Sequence, residues 1–236
     1  LSSSVAALKF LEKRKITAET MKTFSIGYSY EKSQLRNALE EKGYKLKYMQ
    51  LCDVVRESSD KQGEYYDTFR KRVTLPYFNR RGEVVGFTGR DITDTAPAKY
   101  LNTGDTVLFN KGHNIWGLYQ ANKEIRSLDK VYIVEGQFDV MSLYQNGVKN
   151  VVAGSGTAFT SDQVKLLRGV TLNVTFIYDG DAAGIHAAQK NLPDMVSAGF
   201  HVTCIRLPEG KDPDDMAKEE GAGIKKWLQD REISYV

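Results

Sequence analysis

Cysteine and histidine are scarce: Cys52, Cys204 and three histidines in 236 residues. The two cysteines stand far apart and outside any Cys/His cluster. They give no support to a disulfide framework or to a structural zinc site, and both read as buried small hydrophobes. Proline is sparse too, at five residues, and there is neither a low-complexity tract nor an internal repeat. No window approaches the roughly 20 consecutive apolar residues of a membrane span. The N-terminus lacks the charged, apolar and cleavage regions of a signal peptide, so a cytoplasmic protein with no membrane partner is expected. Starting at Leu1 rather than Met, the chain reads as a segment of a longer one. With 41% apolar and 27% charged residues it is not a disordered or fibrous sequence, and it can bury a core as one large or two smaller domains.

Charge is unevenly spread. Residues 1–100 carry 19 Lys+Arg against 13 Asp+Glu (+6), and residues 101–236 carry 14 against 17 (−3). A basic front beside an acidic back suits a protein that holds a polyanion with one part and gathers carboxylates in the other, although an excess this small also suits plain solvated faces.

The first fifty residues place apolar side chains at helical spacing (Val5, Leu8, Leu11; Leu35, Leu39), which predicts a helix-rich entry. From Arg72 to Phe78 and from Glu83 to Arg90 the runs are short and apolar, split by Asn79-Arg-Arg-Gly82, the pattern of strand, tight turn and strand. Residues 91–120 read as an irregular connection. Beyond Asn122 the rhythm becomes strand, loop, helix, which predicts βαβ units and a parallel sheet. The expected strands are Lys130–Val134, Asn150–Ala153, Asn173–Tyr178 and His201–Leu207. The expected helices are Phe138–Asn146, Ser161–Leu167 with Thr160 or Ser161 as cap, and Ala182–Ala198. The overall class is thus α/β: a mixed α+β basic part over residues 1–125, then a parallel sheet flanked by helices over 126–236.

In an open parallel sheet, ligands gather beyond the carboxyl ends of the strands. There this sequence is acidic: Glu135 after the first strand with Asp139 in the next turn, Asp179-Gly-Asp181 after the third, and Asp212-Pro-Asp214 after the fourth. Any one aspartate after a strand suits a helix cap or a turn. Asp139 is also explained by the helix dipole. Three acidic clusters at successive strand ends would repel one another without a divalent cation, and hard carboxylate ligands suit Mg²⁺ or Mn²⁺. Gly154-Ser-Gly-Thr157 suits a close strand-to-helix turn better than a phosphate cradle, since no Gly-Lys-Ser/Thr follows. In the front half Arg70, Lys71, Arg72, Arg80, Arg81, Arg90, Lys99 and Lys111 accompany Tyr77, Tyr100 and Phe109, the mixture expected where phosphates are held and bases stack, although each taken singly suits a solvated charge or a core aromatic.

Four segments, Val134-Glu-Gly-Gln-Phe-Asp-Val140, Gly154-Ser-Gly-Thr157, Tyr178-Asp-Gly-Asp-Ala-Ala-Gly184 and Leu207-Pro-Glu-Gly-Lys-Asp-Pro-Asp214, resemble the Toprim domain of bacterial replicative DNA primases. Upstream, Phe69-Arg-Lys-Arg-Val73, Gly86-Phe-Thr-Gly-Arg90, Lys99-Tyr-Leu-Asn102 and Phe109-Asn-Lys-Gly112 resemble that family's basic RNA-polymerase motifs. The upstream set is the more specific, because Toprim motifs also occur in topoisomerases, recombination proteins and nucleases. The resemblance covers nearly the whole chain. It implies DNA-templated synthesis of RNA primers from ribonucleoside triphosphates, with single-stranded DNA as template and no zinc in this segment. By that resemblance Glu135 would ligate metal or help activate the nucleophile, and Asp179, Asp181, Asp212 and Asp214 would hold Mg²⁺ or Mn²⁺. Arg72, Arg90 and Lys111 would contact nucleotide phosphates or template, with Lys99, Tyr100 and Asn102 in the same groove. It also implies a replicative helicase as partner, met through a C-terminal domain absent from this sequence, and a monomeric core. Two departures stand out: Thr103-Gly104 where Ser-Pro is common, and Asn110 where histidine is common. The competing expectations are another Toprim enzyme, such as a topoisomerase or nuclease, and a non-catalytic single-strand-binding module.

Overall fold

The computed structural model of the protein describes residues 4–31, 34–154, 159–179 and 192–235. Of the expected helix at 182–198, residues 192–197 are helical and 182–191 lie outside the described residues. Ser155 to Thr157, Gly180, Asp181 and Gly184 also lie outside them.

The front of the chain is helix-rich, as its periodicity predicts: α1 (Val5–Lys13), α2 (Ala18–Thr23), α3 (Gln34–Glu41) and α4 (Leu46–Leu51). Local chemistry starts these helices. The Ser4 hydroxyl accepts from the Ala7 N–H at 3.3 Å, and the Thr17 hydroxyl from the Thr20 N–H at 3.2 Å. Between and after them lie β1 (Gly27–Ser29), the pair β2 (Val55–Glu57) and β3 (Tyr65–Asp67), then β4 (Arg72–Phe78), β5 (Val84–Asp91) and β6 (Tyr100–Asn102). β2 and β3 pair only with each other, whereas the rest form an antiparallel sheet in the order β1-β4-β5-β6.

The β4–β5 hairpin falls where the turn residues predict it. Asn79 Oδ1 accepts from the Arg81 and Glu83 N–H groups at 2.9 and 3.1 Å, and Gly82 takes φ +79°. The segment 91–120 is more regular than its sequence suggests. Its middle is β6, with Thr88 opposite Asn102 and Arg90 opposite Tyr100, and three residues are too few to display alternation. Its end opens α5 (Leu118–Leu128), whose Leu118, Ala121 and Ile125 are buried along one stripe.

The second half runs β7 (Val131–Val134), α6 (Gln137–Gln145), β8 (Val151–Ala153), α7 (Ser161–Arg168), β9 (Asn173–Tyr178), β10 (His201–Arg206), α8 (Pro213–Glu220), α9 (Ile224–Gln229) and β11 (Ile233–Ser234). Its sheet has the order β11-β10-β9-β7-β8, parallel throughout except for the edge strand β11, which lies antiparallel to β10. β7 stands between β8 and β9, so the chain leaves it to one side and later returns to the other. The carboxyl end of β7 is therefore the switch point at which ligands bind in such sheets.

Successive residues of β7 serve opposite faces. Val131 and Ile133 pack with α5, Val174, Phe176 and Val202, while Tyr132 and Val134 join a second core with α6, α8 and α9. That second core also takes in Ala7 and Leu11 of α1 and Val73, Leu75 and Tyr77 of β4, so the two halves of the chain share one apolar interior. An aromatic stack fastens the join: the rings of Phe24 and Trp116 lie 4.9 Å apart at 11°, with Tyr144 edge-on to Phe24 at 5.2 Å. Cys52 and Cys204 are half-buried rather than buried, and both are free thiols. Among the described residues no helix is long and apolar enough to cross a membrane.

Gly86 of β5 faces the buried Phe109, where an added Cβ would stand 2.6 Å from the ring. Gly86→Ala is expected to lower stability by about 1–3 kcal/mol, the usual range for overpacking, as measured by urea unfolding.

Candidate functional site

An open cleft of about 360 Å³ lies where the antiparallel sheet faces the carboxyl end of β7. One wall is the β5–β6 ladder, which contributes Thr88, Tyr100 and Asn102, with Lys111 beside it. The other wall is acidic: Glu135 directly after β7, Asp139 in the first turn of α6, Asp179 directly after β9 and Asp212 at the start of α8. The cleft thus joins seven residues singled out in the sequence.

Each is held by its element. Asp139 Oδ2 accepts from the Gly136 N–H at 3.0 Å, fixing the turn into α6. Asp212 is the N-cap of α8, accepting from the Asp215 N–H at 2.7 Å, with Pro213 in the first turn. Lys111 opens a 3-10 turn, Lys111–His113, capped by Asn110 Oδ1, which accepts from the Gly112 N–H at 2.8 Å. The side chains that cap α7 grip this turn from below. The Thr160 hydroxyl donates to the Gly112 carbonyl, and Gln163 Nε2 donates to those of Lys111 and Asn114 at 3.2 and 2.9 Å.

The electrostatics follow from crowding. Burial, and then the nearby Asp212 and Asp179 carboxylates, push the Asp139 carboxyl up to about 8. Burial raises Asp212 as well, and its acidic neighbours Asp215 and Asp214 add to the effect. Tyr100 is also raised by burial, against the opposing pull of Arg14 and Arg90. Among the described residues no three His, Cys, Asp or Glu side chains form a closed metal-binding group. What they form is a set of carboxylates spaced around an open cleft. Such a set fits a hard divalent cation that keeps part of its coordination for water and substrate oxygens.

Other expected residues have different surroundings. Asp214 is buried apart from the cleft lining, accepting from the Ser142 hydroxyl and from Lys218 and lying 3.6 Å from Arg14. Arg72 is buried, and its guanidinium donates to the Gly89, Lys99 and Ala98 carbonyls at 3.0, 3.2 and 2.8 Å. It braces the approach to β6 from behind the wall. Arg90, also buried, donates to the Asp91 carbonyl and to Asp94 at 3.1 Å, while its guanidinium lies over the Phe10 and Tyr100 rings at 5.6 and 5.5 Å. Lys99 is exposed next to β6 and outside the cleft lining. Asp181 lies outside the described residues. Thr88 and Gln137 line the cleft without having been singled out. The register that sets Thr88 against Asn102 could have pointed to Thr88, but only once β6 was known to be a strand.

One departure from the family pattern has a local cause. The Gly104 N–H donates to Asp53 Oδ2 at 2.6 Å, a bond that proline could not make. Asp53 also accepts from Arg56 Nε and Nη2, at 2.6 and 2.7 Å. Against the effect of burial, these partners hold its carboxyl below the usual range.

This architecture, with its acidic rim at the switch point, defines a Toprim protein. Residues 132–217 match the Toprim-like family, and residues 1–122 match the N-terminal domain of the DNA primase catalytic core. The chain belongs to the DNA primase family. It is 38% identical to the DNA primase of Clostridium acetobutylicum over the whole of this chain and 39% of that protein. The primase of Aquifex aeolicus, solved with its zinc-binding and RNA polymerase domains, superposes with a TM-score of 0.92 at 35% identity, over 99% of this chain and 57% of the other. A DnaG primase catalytic domain solved bound to single-stranded DNA superposes at 0.83 with 32% identity, over 98% of this chain and 74% of the other. The chain spans about two fifths of the length of the curated relatives it matches. The fold class expected from the sequence is the fold of these cores.

Two outcomes are expected. Gly104→Pro should cost about 1–3 kcal/mol in urea unfolding through the lost bond to a charged acceptor. For Asp139, a carboxyl raised from 3.8 to about 8 binds its proton more tightly in the folded state. Its contribution to stability is fully present below about pH 4 and lost as the pH rises through about 8. In metal-free buffer, Asp139→Asn should therefore flatten the decline in stability of the natural chain between those limits.

Proposed function

We propose that this chain is the catalytic core of an enzyme that makes short RNA primers on single-stranded DNA from ribonucleoside triphosphates. The observation that carries this reading is the pairing of two unlike walls across one cleft. The β5–β6 wall offers Asn102, Thr88 and the Tyr100 ring, while the facing wall gathers four carboxylates, Glu135 and Asp179 at strand ends and Asp139 and Asp212 at helix starts. A purely strand-binding groove has no use for four acidic groups, because they repel the phosphates it must hold. Nucleotidyl transfer does use them.

In this reaction the primer 3′-hydroxyl attacks the α-phosphate of the incoming nucleotide and pyrophosphate leaves. Lys111, fixed on its turn by Thr160 and Gln163, is placed to neutralise phosphate charge at the basic edge of the cleft. Tyr100 presents a ring for base or ribose, and Arg90 behind it keeps that ring in place. Asn102 offers both donor and acceptor from a paired strand, so its reach is set by the ladder to Thr88. Glu135, exposed at the tip of β7, is positioned to orient the attacking hydroxyl. Glu135, Asp179 and Asp212 would hold a divalent cation, Mg²⁺ or Mn²⁺, with Asp181 beside them in sequence. When bound, such an ion neutralises phosphate charge and orients the attacking oxygen. Asp214, occupied by Ser142, Lys218 and Arg14, supports this set by tying α8 to α6 and α1. In this reading the core acts as a monomer, and coupling to a replicative helicase falls to another part of the longer protein.

The test is incorporation of labelled ribonucleotides on single-stranded DNA with Mg²⁺ or Mn²⁺, alongside plasmid relaxation and cleavage assays. Asp212→Asn preserves a capping side chain at α8 but removes its charge. It should leave thermal stability nearly unchanged while lowering synthesis about a hundredfold or more, the scale of losing one charge-stabilising group. Metal-dependent relaxation or cleavage without synthesis would instead favour a topoisomerase or nuclease.

A further inference from the structure

A second cavity, of about 190 Å³, lies on the other side of the Lys111–His113 turn, between the β4–β5 hairpin, α5 and α7. Lys111 lines the cleft, whereas His113, two residues on, lines this cavity. Its floor is apolar, with Leu118 and Leu166, and its rim carries the guanidinium groups of Arg80 and Arg126, with the His113 ring beside them. No carboxylate lines it, and Asp162 outside it pairs with His113 at 3.0 Å.

Two features mark it as built to receive something flat and anionic. Tyr119 stacks on Phe78, with centroids 5.6 Å apart at 27°, yet remains half-exposed. It sits over Gly82, where a Cβ would stand 2.6 Å from the Tyr119 ring and hydroxyl. Arg80 is admitted in the same way. A Cβ on Gly169 would lie 2.8 Å from its Nη2, and among the described residues Arg80 has no hydrogen-bond or ion-pair partner. Arg126 stands close by, donating to the Gly169 carbonyl at 2.7 Å and to Asn122 at 3.2 Å, and its remaining N–H groups are not used by those bonds.

An aromatic face beside guanidinium groups is the combination that binds a base by stacking and a phosphate by charge-assisted hydrogen bonds. We propose that this cavity binds one nucleoside phosphate, its base against Tyr119 and its phosphate between Arg80 and Arg126. The unit is either a free nucleotide or the phosphorylated end of a strand leaving the cleft past the Lys111 turn. The choice of a nucleotide rests on the function proposed for the adjacent cleft.

The test is backbone-amide NMR of the ¹⁵N-labelled 236-residue chain, titrated without divalent metal. The probes are adenosine 5′-monophosphate and a 5′-phosphorylated single-stranded DNA hexamer. Amides of Gly82, Tyr119 and Gly169 should shift with at least one probe: with the monophosphate if the site takes free nucleotides, with the hexamer alone if it takes a strand end. Tyr119→Ala should weaken that binding about fivefold or more. Arg80→Glu, at an exposed position that leaves the core intact, should weaken it too, while Asn102→Ala should not. Shifts confined to Asn102 and Lys111 would overturn the proposal and leave the cleft reading standing. Shifts confined to the cavity would uphold the proposal. No shift at the cavity with either probe would overturn it, while the cleft reading stands or falls separately on ribonucleotide incorporation with Mg²⁺ or Mn²⁺.

Discussion

The structure depends on the burial of one face of β7. Tyr132 and Val134 project into a core completed by α1 and β4 from the front half and by α6, α8 and α9 from the back. Because interiors are close-packed, this interface holds the antiparallel sheet at a fixed distance and angle from the parallel one. The cleft is the gap left where the two sheets diverge above that core. The Phe24–Trp116 stack and the shared aliphatic interior join its walls from below. A residue such as Leu11 or Val73 therefore bears on the spacing between Asn102 and Glu135 without touching either.

Second to this come polar braces that use residues of functional type for structural ends. Arg72 and Asp214 have the charge and sequence context of ligand-binding groups, yet both are buried and engaged by protein partners. Arg72 satisfies the Ala98 and Lys99 carbonyls on the irregular approach to β6 and that of Gly89 in β5, which would otherwise be costly to bury. Asp214 joins helices from both halves. Removing either would disturb the site at second hand, through strand or helix position, and mutagenesis that reads only activity could not tell this from a direct role.

Much of this was legible in the sequence, for identifiable reasons. β7, β9 and β10 are β-branched runs bounded by turn chemistry, and the parallel sheet they form puts Glu135 and Asp179 directly at strand ends and Asp212 in the connection that follows β10. The hairpin at Asn79–Gly82 was legible because asparagine and glycine have specific turn roles there. β6 was not, since its identity depends on a partner, β5, supplied by tertiary context, and with β6 went Thr88. The separation of Asp212 from Asp214 was equally hidden. Two residues apart on a helix start, one caps and faces the cleft while the other turns inward to Ser142, and only the packing of α8 on α6 decides which.

β6 is also the outermost strand of its sheet. Such an edge carries hydrogen-bonding groups with which another polypeptide could pair, and a pairing there would bury the cleft wall under foreign backbone. The strand is three residues long, with Pro97 and the exposed Lys99 just before it. Shortness, proline and lysine are the common defences of sheet edges against aggregation. The approach to the cleft is thus guarded against association with other chains by the same stretch of sequence that shapes its wall.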